Sequence, residues 1–201
     1  MFYTKKARAY ADGRVYAVDT FFPEAATVKD GIICVNDIGK LPDNEFDCII
    51  MMDVLEHIEN EKPFFDDVVN KLKDGGTVLI TVPAWQFLFS IHDTRSQHYR
   101  RYNRKQLLAI LEHNCIKVKK CHYFYTSLFF ARVLYIQKKE KFTGNEIDWK
   151  YSEKNIITVM ARVILDMDFW VNMILDRIGI HLPGLSLMAV CMKKIDIKTV
   201  P

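Results

Sequence analysis

A chain of 201 residues, half of them hydrophobic, is long enough for one domain with a sizeable core, and no second domain is required. The net charge of +3 is mild, and basic residues are dispersed apart from a cluster at residues 98–105, so nucleic-acid binding is not expected. Five cysteines without CxxC spacing indicate reduced core residues of a cytoplasmic protein rather than a zinc site or a disulfide framework. We expect no metal ion.

The first ten residues lack the apolar core of a signal peptide. The longest hydrophobic stretch, residues 155–180, carries too many charges for a membrane span. Those charges belong to Arg162, Asp166, Asp168, Asp176 and Arg177. We therefore expect residues 1–201 to form a single domain.

Four short elements come first, and two of them are predicted strands. Residues 4–10 predict the end of a helix and residues 14–18 a strand. Residues 24–28 predict one helical turn and residues 32–35 a second strand. The two strands are followed by Asp19 and by Asn36-Asp37. An acid after such a strand can accept both ribose hydroxyls of a bound nucleotide. The alternative for Asp19 is a surface or capping role.

Residues 46–83 predict a strand, a helix and a second strand. A near-continuous apolar run at 48–52 is typical of a strand covered by helices on both faces, and it ends at Asp53. Helically spaced apolar residues follow as far as the glycine pair at 75–76, a helix C-terminal signal. Residues 77–82 predict the next strand, and the short loops make this unit a right-handed parallel crossover.

Ligands of such sheets bind beyond the carboxyl ends of the strands. Asp53, Glu56 and His57 therefore belong to the expected functional edge. The alternative for Glu56 and His57 is a local role at the start of the helix, where the dipole favours an acid.

Four segments, VYAVD, IICVND, LPDNEFDCIIMMDVLEHI and DGGTVLITVP, resemble in order and spacing the class I S-adenosylmethionine-dependent methyltransferases. The resemblance covers residues 13–124 and implies a Rossmann-like, doubly wound α/β sheet, mostly parallel with an antiparallel last strand. It implies S-adenosylmethionine as cofactor, with Asp19 at the ribose and Asp37 near the adenine amino group. Three further positions would line the adenosine and methionine portions: Met52, Asp53 and Val54. Carboxylates suit a sulfonium cofactor with an amino-acid tail.

One part of the family's pattern is missing. The resemblance implies a central first strand and a GxGxG loop. Before the first predicted strand, however, the chain has a single glycine, Gly13, and the twelve residues ahead of it are too few for a strand, a loop and a helix. Two strand edges, those ending at Asp19 and Asp53, would then face a gap. We interpret the chain as an N-terminally truncated member, or one with a repaired sheet, and expect a truncated chain to bind cofactor poorly.

The segment after Pro83, WQFLFSIHDTRSQHYRRYNRKQL, is the most distinctive one. Its aromatic residues would cover the cofactor and substrate edge. The order His-Asp, then His-Tyr-Arg-Arg-Tyr, resembles a bacterial branch of these methyltransferases. Asn103 is a suitable N-cap for a helix over residues 104–113.

Methyl transfer from a sulfonium needs orientation and desolvation, and a base if the acceptor is a hydroxyl. His98, His92 and His57 are the base candidates, with His57 ranked last, because imidazoles exchange protons near neutral pH. Arg100 and Arg101 could hold an anionic acceptor through paired hydrogen bonds. The alternative is that these are loop residues exposed to solvent or engaged in ion pairs.

The last part predicts a strand, two apolar helices and a final strand. These lie at residues 115–124, 127–137, 156–178 and 185–192. The helices belong to an insertion over residues 125–182 and are expected to pack on the sheet. The alternative is a cover over a lipid-linked acceptor, or docking on the inner membrane surface through Lys138, Lys139 and Lys141.

The sequence thus predicts methyl transfer from S-adenosylmethionine to a small or lipid-linked acceptor, with oxygen preferred. It requires Asp19, Asp37 and Asp53 to face one nucleoside cleft. One alternative is an inactive binding or scaffolding module. Another is a nicotinamide-dependent oxidoreductase, which the missing glycine fingerprint and the VLEH segment disfavour.

Overall fold

The computed structural model describes residues 2–112, 115–139 and 156–195. Within these ranges the chain forms six helices and seven strands. The helices are α1 (Phe2–Tyr10), α2 (Glu61–Lys71), α3 (Ile91–Arg95), α4 (Arg104–Leu111), α5 (Thr126–Lys139) and α6 (Ile156–Arg177). The strands are β1 (Val15–Val18), β2 (Thr27–Lys29), β3 (Ile32–Val35), β4 (Phe46–Met52), β5 (Leu72–Pro83), β6 (Ile116–Phe124) and β7 (Ser186–Lys193).

The larger sheet has the order β4-β5-β7-β6. Strands β4 and β5 are parallel, while β7 runs antiparallel to both β5 and β6. The alternating apolar residues of β5 and β7 pack with α2 and α4 around Phe65, Ile80 and Leu187, all fully buried. This arrangement confirms the predicted α/β sheet with an antiparallel last strand.

The smaller sheet has the order β1-β3-β2. Strands β1 and β3 are parallel, as predicted, and β2 is antiparallel to β3. The two residues between β2 and β3, Asp30 and Gly31, both have positive φ angles, 53° and 72°. Asp-Gly is the favoured pair for such a two-residue hairpin turn. The prediction of a helical turn at residues 24–28 is therefore wrong, because the Asp-Gly signal makes this segment one arm of a hairpin.

Strands β1 and β4 are edge strands of the two sheets, and no strand of the described chain pairs with both. Their starting residues nevertheless lie against each other. The rings of Tyr16 and Phe46 meet edge to face with centroids 5.3 Å apart, and Arg14 lies 3.4 Å from the Glu45 carboxylate. The two sheets thus adjoin at the amino ends of β1 and β4 without sharing backbone hydrogen bonds.

Strand β4 is less covered than the sequence predicts. Ile50 is 49% exposed and Met52 37% exposed, so the prediction of cover on both faces is wrong. An edge strand has a neighbour on one side only, and its side chains are correspondingly less enclosed. The same effect exposes Cys48, and Cys115 is also exposed, whereas Cys34, Cys121 and Cys191 are buried free thiols.

The glycine pair at 75–76 lies inside a strand and not, as the sequence predicts, at the end of a helix. Helix α2 ends at Lys71, and the glycines lie within β5, where Gly75 has a φ of 78°. The register of β4 against β5 jumps here from Phe46–Leu72 to Cys48–Thr77. A β-carbon on Gly76 would lie 2.9 Å from the Phe46 carbonyl oxygen. These glycines therefore permit an irregularity in the strand rather than ending the helix.

Helix α6 has an unexpected orientation. It turns polar side chains inward, where the Thr126 hydroxyl donates to the Asn172 side chain at 2.8 Å and the Ser127 backbone N–H donates to Asp168 at 3.1 Å. Its apolar face is exposed, at Val163, Ile164, Met167, Trp170, Val171 and Ile174. The prediction that this face packs on the sheet is therefore wrong.

The lysines proposed for membrane docking fall at the edge of the described chain. Lys138 and Lys139 end α5, but their side chains lie outside the described residues, as does all of Lys141. Among the helices that the structure describes, none combines the length and the hydropathy needed to cross a bilayer.

Candidate functional site

The site is built on the turn that follows β4. Asp53 adopts a left-handed backbone conformation with a φ of 54°, and its N–H donates to the Thr81 carbonyl at 3.0 Å. The Thr81 hydroxyl in turn donates to the Asp53 carboxylate at 3.3 Å. A 3-10 turn, Leu55–His57, begins two residues later. The carboxyl end of β4 thus presents Asp53, Glu56 and His57 together, as the sequence predicts.

The loop at residues 98–102 is bound to this turn. The Tyr99 N–H donates to the Glu56 carbonyl at 2.7 Å, and the buried Tyr102 hydroxyl donates to the Leu55 carbonyl at 2.9 Å. Tyr102 also exchanges backbone hydrogen bonds with the end of β5, at Pro83 and Trp85. The loops that follow β4 and β5 therefore form one hydrogen-bonded unit.

Two histidines meet in this unit. The rings of His57 and His98 pack edge to face, with centroids 4.7 Å apart. The Glu56 carboxylate lies beside them, and one potential ligand atom from each of the three residues falls within 4.8 Å of the others. Glu56 is fully buried, and neither of its carboxylate oxygens has a hydrogen-bond partner among the described residues.

Asp93 holds His98 in place. Its Oδ1 atom lies 3.1 Å from His98 Nδ1 and accepts from Arg101 Nε at 2.7 Å. Its Oδ2 atom accepts from Arg101 Nη2 at 3.1 Å and from the Ser90 N–H at 2.9 Å. Asp93 is fully buried, and its contact engages Nδ1 of His98, so Nε2 is the ring nitrogen that the aspartate does not bind.

Several acids and bases of the site have shifted pKa values. Burial raises the pKa of Glu56 to about 8 and also raises the pKa of Asp53, against the hydrogen bond from Thr81. Burial, followed by the charge of His98, lowers the pKa of His57. Burial alone would raise the pKa of Asp93, but hydrogen bonds from Arg101 and Ser90 outweigh it and lower that pKa to about 2. Perturbed groups of both signs at one sheet edge are typical of a functional site.

A family model described as "Methyltransferase domain" matches residues 5–127. The chain belongs to this methyltransferase family. The match confirms the resemblance to class I S-adenosylmethionine-dependent methyltransferases, and S-adenosylmethionine is the cofactor of that family. It leaves the oxidoreductase alternative without support.

Two solved structures of low identity share the fold, and a third aligns more loosely. An S-adenosylmethionine-dependent methyltransferase from Mesorhizobium loti has a TM-score of 0.56 at 13% identity, with 96% of this chain and 86% of that chain covered. A methyltransferase of Haloferax volcanii, solved in complex with the activator Trm112, has a TM-score of 0.54 at 15% identity, with 97% and 78% covered. A type 11 methyltransferase from Sulfolobus solfataricus has a TM-score of 0.48 at 14% identity, with 98% and 79% covered. A search of curated protein sequences found no significant match.

Two of the predicted cofactor acids share one edge of the methyltransferase domain. Asp19 follows β1 and Asp37 follows β3, and both are exposed. Asp19 Oδ1 accepts from the Phe21 N–H at 3.0 Å, and Asp37 Oδ1 caps Gly39 at 2.8 Å. In each carboxylate these local bonds occupy one oxygen, so the other can accept from a ligand hydroxyl or amine. These acceptor groups therefore fit the hydroxyl and amine donors of a nucleoside.

The other three predicted cofactor residues lie at the end of β4 in the larger sheet. Met52 is partly exposed, Asp53 lies near enough to His98 and His57 for their charges to lower its pKa, and Val54 packs against the core. Because β1 and β4 belong to different sheets, the structure brings Asp19 and Asp37 together but joins neither to Asp53 by a described contact.

The catalytic candidates are separated in the structure. His98 lies in the cluster with His57, whereas His92 is exposed on α3 outside it. Arg101 is nearly buried, since it binds Asp93 and reaches the Ala84 carbonyl. Sequence reasoning placed Glu56 and His57 at the functional edge but ranked His57 last. The adjacent acid and imidazole directly after a strand were the available signal, and His98 is 41 positions away along the chain.

Proposed function

We propose that this chain transfers a methyl group from S-adenosylmethionine to an acceptor oxygen at the edge formed by the 55–57 turn and the 98–102 loop. The observation that supports this proposal most strongly is the setting of His98. Its ring packs against His57, and its Nδ1 atom lies 3.1 Å from the buried Asp93 carboxylate. An imidazole fixed in this way presents Nε2 to a substrate proton, and the aspartate stabilises the imidazolium that results.

The cofactor would supply the electrophilic methyl group of its sulfonium. Asp19 and Asp37 would accept hydrogen bonds from the ribose and adenine, and Met52, Asp53 and Val54 would adjoin the rest of the cofactor. His98 would take the proton of the acceptor hydroxyl, with His92 as the second candidate. Arg101 would act by holding Asp93, since both of these side chains are buried together.

The acceptor class is supported by the exposed face of α6. Six large apolar side chains of this helix face solvent, while its Asp168 and Asn172 side chains bond to the start of α5. Such a face suits the hydrocarbon part of a lipid-linked acceptor, or contact of the whole domain with a membrane surface. A small, water-soluble acceptor is the remaining possibility.

The test is transfer of a labelled methyl group. The chain, and a version extended upstream in the same reading frame, are incubated with methyl-tritiated S-adenosylmethionine and a cell extract, which is then partitioned between organic and aqueous phases. We expect label in the organic phase, reduced about 100-fold by His98→Asn and little changed by His92→Asn. Label in the aqueous phase would contradict a lipid-linked acceptor. A larger loss of transfer in His92→Asn than in His98→Asn would assign the base to His92.

A second candidate function is an inactive binding or scaffolding module. It is favoured by the separation of β1 from β4, which leaves the cofactor acids on two sheets. Calorimetric titration of both chain lengths with S-adenosylmethionine separates the two functions. Binding by the extended chain, with or without binding by the shorter one, supports the methyltransferase, and binding by neither supports the module.

A further inference from the structure

Glu56, His57 and His98 form a set of metal-ligand type. One ligand atom from each falls within 4.8 Å of the other two. We propose that these three residues bind a divalent transition-metal ion of the zinc class. The cysteine spacing predicts no metal ion, but none of the three proposed ligands is a cysteine.

The strongest observation is the state of Glu56. Its side chain is fully buried, and both carboxylate oxygens lack a hydrogen-bond partner among the described residues. A buried carboxyl group without a hydrogen-bond partner is costly in either protonation state, and coordination of a metal ion would give its oxygens a partner. The adjoining His57 and His98 rings provide nitrogen ligands on the same side of the turn.

The second observation is the support behind His98. Its Nδ1 atom lies 3.1 Å from Asp93, and Asp93 is fixed in turn by two hydrogen bonds from Arg101. A histidine that binds a metal characteristically gives its other ring nitrogen to a carboxylate, which fixes the tautomer and the ring orientation. Asp93 and Arg101 are therefore positioning residues for this ligand.

The donor set selects the class of ion. Two imidazoles and one carboxylate are the ligands of catalytic zinc sites that keep a fourth position open. Magnesium and calcium prefer oxygen ligands and are disfavoured by the two nitrogens. In a tetrahedral zinc site the ligand atoms are about 3.3 Å apart, so each separation here, within 4.8 Å, has to close by no more than about 1.5 Å. Side-chain rotation of the exposed His57 is the available movement.

The ion would give the proposed methyl transfer a different means of activating its acceptor, and this consequence rests on the proposed function. A hydroxyl bound at the open position would lose its proton more readily. Its oxygen would then form a bond to the methyl carbon while the sulfonium S–CH3 bond breaks and leaves the cofactor as a neutral thioether. His98 Nε2 would then be a ligand and not the free base. Its proton-accepting role passes to solvent or to Asp53, whose carboxylate lies near the same pair of rings.

Binding is tested on the whole chain with cobalt as a coloured probe for the zinc class. Chain stripped with a chelator is titrated with Co²⁺ and followed by its visible absorption, and then with Zn²⁺ as competitor. We expect one equivalent to bind and Zn²⁺ to displace it. Glu56→Gln and His57→Gln each weaken binding at least 10-fold. The matched control is His181→Gln, an exposed histidine paired with Asp176 away from the cluster, which leaves binding unchanged.

His57→Gln keeps the test interpretable if Glu56→Gln fails to fold, because His57 is exposed. The proposal is overturned if the wild type binds no cobalt, or if it binds cobalt no more tightly than His57→Gln and Glu56→Gln do. It is also overturned if His181→Gln alone loses binding, because the ion would then lie at His181.

The labelled-methyl assay then separates this inference from the proposed function. Cluster-dependent cobalt binding without any methyl transfer would keep the metal site and overturn the methyltransferase activity. Methyl transfer that persists undiminished in stripped chain would overturn the catalytic role of the ion and keep the activity.

Discussion

Arg101 Nε donates to Asp93 Oδ1 at 2.7 Å, and both side chains are buried. The pair is bidentate, since Arg101 Nη2 also donates to Asp93 Oδ2 at 3.1 Å. A paired arrangement of this kind fixes the position of both groups more firmly than a single contact. It anchors the loop that carries His98, so the position of His98 depends on a buried ion pair.

Replacing Arg101 by methionine should strongly destabilise the fold. It leaves the buried Asp93 carboxylate without its main partner, and such losses cost about 3 kcal/mol or more. Urea unfolding measures the free energy change. The matched control is Lys73→Met, whose exposed ion pair with Asp47 should contribute under about 1 kcal/mol. Equal losses in the two variants would contradict the structural role of Arg101.

Tyr102→Phe should loosen the connection between the two site loops. The variant removes the buried hydroxyl that donates to the Leu55 carbonyl, so the free energy of unfolding should fall by about 1–2 kcal/mol. Tyr99→Phe is the control, because that side chain is exposed and contributes its backbone N–H instead. A loss in Tyr99→Phe as large as in Tyr102→Phe would contradict this account.

Gly184→Ala should destabilise the protein through a steric clash. A β-carbon at position 184 would be placed directly on the backbone of Phe124, so the strand end has to move. Overpacking of this kind costs about 3 kcal/mol. Gly13→Ala is the control, since nothing lies within 4 Å of its added carbon. Thermal unfolding should separate the two variants clearly, and similar melting temperatures would refute the close approach.

The site could be predicted from sequence only in part. The strand ends at Asp19, Asp37 and Asp53 follow from local apolar runs, which depend on neighbouring residues alone. The pairing of His98 with His57 depends on how two loops far apart in the chain are joined, and no local pattern contains that information.

The errors in the fold prediction have similar physical causes. The cover over β4 depends on its neighbours in the sheet, and β4 has a partner on one side only. The orientation of α6 depends on polar contacts with the start of α5, which reverse the face that its apolar spacing predicts to be buried.

His122 should make stability depend on pH. Burial lowers the pKa of its imidazole, and both ring nitrogens lack a hydrogen-bond partner among the described residues. The Asp176 carboxylate, 4.0 Å away, opposes this shift, while Lys120 and His181 add to it. The folded state therefore disfavours the proton that the unfolded chain accepts below about pH 6.5. Stability should fall as the pH drops from about 6.5 through the lower pKa of the folded state.

The variant His122→Leu isolates this contribution. It removes the titrating group without leaving an unpaired polar atom, so the loss of unfolding free energy between pH 7 and pH 5 should be smaller than in the wild type. Urea unfolding at both pH values measures it. Identical pH dependence in the two proteins would show that His122 is not the responsible group.

The central claim is that the residues after β1, β3 and β4 bind one cofactor molecule although β4 lies in the other sheet, and calorimetric titration with S-adenosylmethionine tests it most directly. The measurement is made on this chain and on the upstream-extended chain, each with Asp19→Ala and with Asp47→Ala, an exposed acid at the opposite end of β4. We predict that Asp19→Ala weakens binding about 10-fold, or about 1.4 kcal/mol, while Asp47→Ala leaves it unchanged. Absence of binding in both chain lengths, or equal effects of the two substitutions, would contradict the account.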